Sequence, residues 1–184
     1  MTPWIFGLAV SEFIAGITCL VIGGYTLAKA RSSLNVLFFG LSLPLALVGM
    51  AEGFVTLAPD AATARLWMNL AFLGWLLFLP TYIKFSTTFC AVKFKILPLF
   101  YLLAAAFFGL VVATPYFISA MTSRFYGYFY EPGSLNITYV LFYLICVCAG
   151  LYFFFFSCLR QEYYKRKQTN IILIVSNKRI KFIN

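Results

Sequence analysis

Two acids stand inside long apolar runs, Glu12 and Glu52, and a carboxyl in hydrocarbon is costly enough to require a partner or a purpose. Glu12 lies about 12 Å below the outer end of its segment at 1.5 Å per residue. The helical period through it passes Ala9, Gly16, Cys19, Gly23 and Thr26, a small and polar stripe that lets another helix come close. Glu12 is therefore expected to face protein. Two readings stand for it: a ligand or proton site, or a protonated or paired carboxyl that fixes packing.

Glu52 sits in Gly49-Met50-Ala51-Glu52-Gly53, a GxxxG spacing that offers a contact face to a neighbouring helix. The next segment begins close by, so Arg65 or Asn69 is expected to reach Glu52 at similar depth. That pairing reads either as a charge pair holding two helices in register or as part of a ligand contact. Lys84 lies about 10 Å short of the inner end, from where its stem can snorkel toward the headgroups. Glu12, Glu52, Arg65, Asn69 and Lys84 make the candidate ligand-binding set, with Gly16, Gly49, Gly53 and Pro80 as helix-packing positions.

Other chemistry finds no residues. Cys19, Cys90, Cys146, Cys148 and Cys158 all fall inside apolar segments, no CxxC pair occurs and there is no histidine to complete a zinc site. They read as buried thiols acting as small hydrophobes. Without histidine no Ser-His or Cys-His pair forms, and no Gly-rich loop opens a helix for nucleotide phosphates. The chain is expected to hold no catalytic residue, metal or cofactor, and not to be an enzyme by itself.

These residues must be positioned by membrane helices. With 63% hydrophobic, 20% aromatic and 10% charged residues, the sequence has too little charge to cover a soluble fold. The net charge of +9 comes from basic residues scattered between apolar segments, which argues for lipid headgroups and against nucleic acid. The expected class is all-α, a polytopic helix bundle with segments at about 4–28, 34–57, 66–92, 96–114 and 137–159, and the start of a sixth at 171. The first segment lacks a basic lead-in and is too long for a signal-peptide core, so it reads as a retained helix with Trp4 at the outer interface. Pro44 is expected to kink the second.

Between Pro115 and Asn136 the pattern breaks into a loop dense in Tyr and Phe, suited to the headgroup zone. An interfacial helix lying on the membrane is the favoured expectation, and a lid over the outer mouth of the bundle is the other. Lys29 and Arg31, Lys93 and Lys95, and Arg160 with Lys165 to Lys167 alternate with turns holding only Arg65 or only Arg124. By the positive-inside rule the N-terminus is outside and the basic loops face the cytoplasm of a multi-pass protein of the cell membrane. Lys178, Arg179 and Lys181 fit poorly in a sixth crossing, so residues 176–184 are expected to be an atypical basic tail after a membrane region of 1–175.

The stretch Leu57 to Val92 opens on Pro59-Asp60, passes Leu66-Trp67 and Leu73-Gly74, and carries Pro80 and Phe85. This pattern resembles the third helix of the N-terminal seven-transmembrane sensor region of prokaryotic histidine kinases. Farther on, Arg160, Tyr163 and Gln168 ahead of the apolar start at Ile171 resemble the basic inner loop of the same region. The resemblance implies an integral membrane signal-sensing input region of a two-component system, truncated before its output domain. Kinase activity would then belong to a missing C-terminal domain, since this chain has no histidine to phosphorylate.

The expected partners are the lipid bilayer, a full-length sensor kinase or a second copy as a homodimer, and a small-molecule or lipid stimulus. The lining does not choose between a lipid, a peptide, a quinone and a proton. From a different class, Glu12, Glu52, Asn69 and Lys84 along a polar route, with Pro44 and Pro80 breaking helices, would suit a small membrane transporter or channel subunit.

Overall fold

In the computed structural model, residues 3–124 and 127–155 are described. The inner end of the fifth helix, the basic stretch 160–168, the start of a sixth crossing and the basic tail lie outside the described residues, as do Phe125 and Tyr126. The order is α1 (Pro3–Lys29), α2 (Ser33–Thr56), α3 (Ala61–Phe89), α4 (Leu97–Ala113), β1 (Ile118–Arg124), β2 (Gly127–Pro132) and α5 (Asn136–Phe155). All but α4 among the helices are long and apolar enough to cross a membrane, and α4 is a shorter apolar helix of 17 residues. The outward faces of α1 and α5, with Ile14, Ile17, Val21, Leu141, Leu144 and Ile145 exposed, are what a lipid-facing bundle requires.

Helix α1 packs on α2 through the stripe traced from Glu12. Its fully covered residues are Ala9, Gly16 and Gly23, one face at heptad spacing. The backbones nearly touch: a methyl at Gly49 would lie 2.9 Å from the carbonyl oxygen of Glu12 and 2.9 Å from the nitrogen of Gly16. A turn on, one at Gly53 would enter the Phe13 ring at 2.8 Å, and one at Gly23 would meet Ser42 at 2.6 Å. On the opposite side of α2, Gly74 of α3 comes as close to the carbonyl of Pro44. Both Pro44 and Pro80 sit inside their helices on buried faces, and each helix continues through its proline as one element.

The helix ends are set by side chains. Asp60 accepts the amide of Thr63 at 2.8 Å and its hydroxyl at 3.0 Å, which starts α3 at Ala61, five residues ahead of the expected 66. Ser32 caps α2 by accepting the Asn35 amide, while the Asn35 side-chain amide ties back to the carbonyls of Thr26 and Ala30. At its far end α3 closes in a Schellman turn. Val92 N–H donates to the Thr87 carbonyl and Ala91 N–H to that of Thr88, with Ala91 in the left-handed region at φ 53°.

The aromatic segment after α4 is not an interfacial helix. It is a two-stranded antiparallel hairpin, with Arg124 opposite Gly127 and a register shift between Ile118 and Ala120. Its root is driven into the bundle: Phe117 and Ile118 are both fully buried, in a cluster with Val55, Met68, Phe72 and Val111. Its tip rests on the end of α2, where Gly127, at φ 116°, leaves no room for a side chain against the Thr56 carbonyl. Beyond that root the strands are half-buried or exposed, and backbone pairing between them, not an amphipathic helical face, satisfies the segment.

A second core joins α3, α4 and α5 through Leu76, Leu79, Ile83, Ala104, Phe142 and Cys146. Phe107 bridges the two cores, its ring 5.8 Å from that of Phe117 and 5.1 Å from that of Phe142. The thiols divide, and not all are buried as expected: Cys146 is buried, Cys19 and Cys90 are half-buried, and Cys148 is exposed on α5. A helix in lipid needs no covering for an apolar thiol. Cys90 lies near the α5 backbone, its Sγ 3.0 Å from the Phe153 carbonyl, and Cys158 lies outside the described residues.

Two outcomes follow. Gly49→Ala is expected to lower stability in detergent by about 1–3 kcal/mol through overpacking, read as a lower thermal midpoint. Gly109→Ala, where a methyl meets nothing within 4 Å, should leave the midpoint in place; equal midpoints for both would contradict the seam. Second, the Thr63 amide and hydroxyl hold the Asp60 carboxyl below the usual carboxylate range. Its capping contribution is therefore complete above the unfolded-state value and is lost as pH falls through the lower folded one. The Thr63 amide resonance should titrate with that lowered midpoint and lose the titration in Asp60→Ala; an ordinary aspartate midpoint would contradict the cap.

Candidate functional site

The glycine seam sets the depth of the two acids. Glu12 lies one turn before Gly16 and Glu52 lies three residues after Gly49, so the closest backbone contact brings both carboxyls to the hairpin end of the bundle. There they line one cavity of about 530 Å³. The volume is in the range of small-molecule pockets.

Among the described residues each acid is held by one donor. The Thr56 hydroxyl donates to Glu12 Oε2 at 3.0 Å, linking α2 to α1. The Trp75 indole N–H donates to Glu52 Oε1 at 3.4 Å, linking α3 to α2. Glu52 and Thr56 are four residues apart on α2, one turn along the same face, and so address the same space.

Aromatic side chains supply most of the remaining wall. From α3, Phe72 and Trp75 face in beside Met68; from α5, Tyr139 and Tyr143 do, one turn apart; and β2 closes the mouth with Tyr128, Phe129 and Tyr130. Phe72 joins three elements, its ring edge-to-face with Tyr130 at 5.6 Å and with Tyr139 at 5.4 Å. Trp75 meets Tyr143 at 6.1 Å in the same manner. The hairpin therefore roofs a chamber whose sides are four different helices.

Of the five ligand-set residues, the structure brings Glu12 and Glu52 together and leaves three outside the cavity lining. Arg65 and Asn69 do not hold Glu52, which has Trp75 instead. At about 100° per residue they sit roughly 80° and 120° round α3 from Trp75, and they lie nearer its start. Asn69 is itself unusual, because its Oδ1 is buried without a hydrogen-bond partner among the described residues. Lys84 is exposed on α3 toward the opposite end, as a snorkelling lysine would be. The packing positions Gly16, Gly49, Gly53 and Pro80 are all buried.

Sequence reasoning missed Thr56, Phe72, Trp75, Tyr139 and Tyr143. Spacing was the available signal: Thr56 follows Glu52 by four, and Tyr139 precedes Tyr143 by four. In segments this rich in aromatics, such pairs do not stand out from lipid-facing rings.

A family model described as the N-terminal 7TM region of histidine kinase matches residues 12–176. Comparison with curated proteins and with solved structures finds no match. The matched stretch includes both acids, the glycine seam, the hairpin and every described helix except the start of α1. It describes an input region of such kinases and not their catalytic domain. This membrane helix bundle belongs to the family of N-terminal seven-transmembrane regions of histidine kinases.

Proposed function

We propose that the chain is a signal-sensing input region whose stimulus occupies the cavity at the hairpin end. The observation that carries this is the shared chamber: Glu12 of α1 and Glu52 of α2 face the same space as side chains from α3, α5 and β2. A molecule bound there touches four helices and the hairpin at once. It can favour one helix arrangement over another by making better contacts in it, which is the requirement for a ligand to shift a conformational equilibrium. The hairpin acts as the lid, since its root is packed in the core while β2 forms the mouth.

The hairpin end, with Arg65 and Arg124, is the outer one in this reading, and the end with Lys29, Arg31, Lys93 and Lys95 faces the cytoplasm. The N-terminus is then outside. A transporter would need a polar route onward from the acids, and the expected next station, Lys84, is exposed on α3 away from them.

The test is to place the region ahead of a histidine-kinase catalytic core and follow autophosphorylation in membrane vesicles. Glu12→Gln combined with Glu52→Gln should change basal phosphorylation severalfold, while Gly109→Ala should not. Phosphorylation indifferent to the double variant, together with cation or proton flux in liposomes that the double variant abolishes, would overturn the sensor reading in favour of transport.

A further inference from the structure

The charge of the cavity is one-sided. Glu12 and Glu52 line it, and among the described residues no lysine or arginine lines it. Each acid spends one oxygen on Thr56 or Trp75, and among the described residues Glu12 Oε1 and Glu52 Oε2 accept no hydrogen bond. Two carboxyls in a low-dielectric space with unfilled acceptors favour a partner that brings positive charge and donors.

The walls select the kind of cation. Trp75 and Tyr143 meet at an interplanar angle of 77°, and Phe72 and Tyr139 at 62°, so the rings form corners that present faces as well as edges. Ring faces attract a cation within about 6 Å, and the net gain in water favours a weakly hydrated organic cation, which gives up less hydration on entering the site. Outside the lining, the exposed Arg124 guanidinium makes the same kind of contact with the Phe129 ring, 5.3 Å from its centroid. A small hard metal ion would want a shell of converging oxygens, whereas most of this wall is carbon. Among the described residues no group of three or more His, Cys, Asp or Glu side chains gathers for a metal.

We propose that the cavity binds an organic ammonium ion with an apolar body, its head between Glu12 and Glu52 and its body against Trp75, Tyr139 and Tyr143. This rests on the reading of the cavity as the stimulus site, and names the chemistry of what fills it. At about 530 Å³ the chamber has room for an aralkyl or quaternary ammonium of modest size.

Equilibrium dialysis with radiolabelled benzyltrimethylammonium, on the full chain in nanodiscs of zwitterionic lipid, tests this. Saturable binding is expected, with the neutral isostere neopentylbenzene competing at least about tenfold more weakly. Glu12→Gln with Glu52→Gln should weaken the cation at least about tenfold, while Glu131→Gln, an exposed hairpin acid outside the lining, should not. The comparison of cation with isostere needs only the unaltered chain, so a double variant that fails to fold does not remove the test. If neopentylbenzene competes as well as the cation, the ammonium proposal is overturned and the cavity remains a stimulus site for an apolar ligand. If neither probe saturates, the ammonium proposal is also overturned, and the kinase-fusion assay alone decides the stimulus-site reading.

Discussion

Two helices in lipid gain little by burying apolar surface against each other, because the lipid tails are as apolar as the partner. What holds α1 to α2 is the close approach that glycine permits. At Gly16 and Gly49 the two backbones meet with no side chain between them, and Gly53 receives the Phe13 ring a turn away. This contact fixes the relative height of the two helices, and so the height of everything they carry. Glu12 and Glu52 share a cavity because of it, and a slip of one turn, about 5.4 Å, would separate them.

The hairpin depends on the same arrangement. Its tip rests on the last residue of α2, where Gly127 meets the Thr56 backbone, and the Thr56 side chain in turn holds Glu12. Its root, Phe117 and Ile118, is fixed by α2, α3 and α4 through Val55, Phe72 and Val111. The hairpin is thus anchored in the core at one end and meets the chamber walls at the other. Phe72 ties these parts together, since Tyr130 of the hairpin and Tyr139 of α5 both pack on its ring.

Much of this was legible in the sequence, because membrane helices announce themselves and small residues at helical spacing can mean only a few things. The stripe through Glu12 named Ala9, Gly16 and Gly23, which are the buried residues of α1, and the GxxxG of α2 named Gly49 and Gly53. The hairpin was not read. Gly127 and the run of β-formers around it were a turn-and-strand signal, but the density of rings at 116–130 pointed equally to the headgroup zone. The partner of Glu52 was also misread, since charge invited Arg65, whereas rotation about α3 delivers the neutral donor of Trp75. Pairing across helices depends on azimuth and depth together, and neighbours in sequence settle neither.

Glu12 and Glu52 face one chamber, and the rest of the arrangement at the hairpin end follows from that. The most direct measurement places cysteines at both positions in a chain otherwise free of cysteine and treats it in membranes with a short bifunctional thiol reagent. Intact mass should show one reagent bridging both thiols within a single chain. Two separate adducts per chain, each with a free reagent arm, would mean that the acids face different spaces, and would contradict the account.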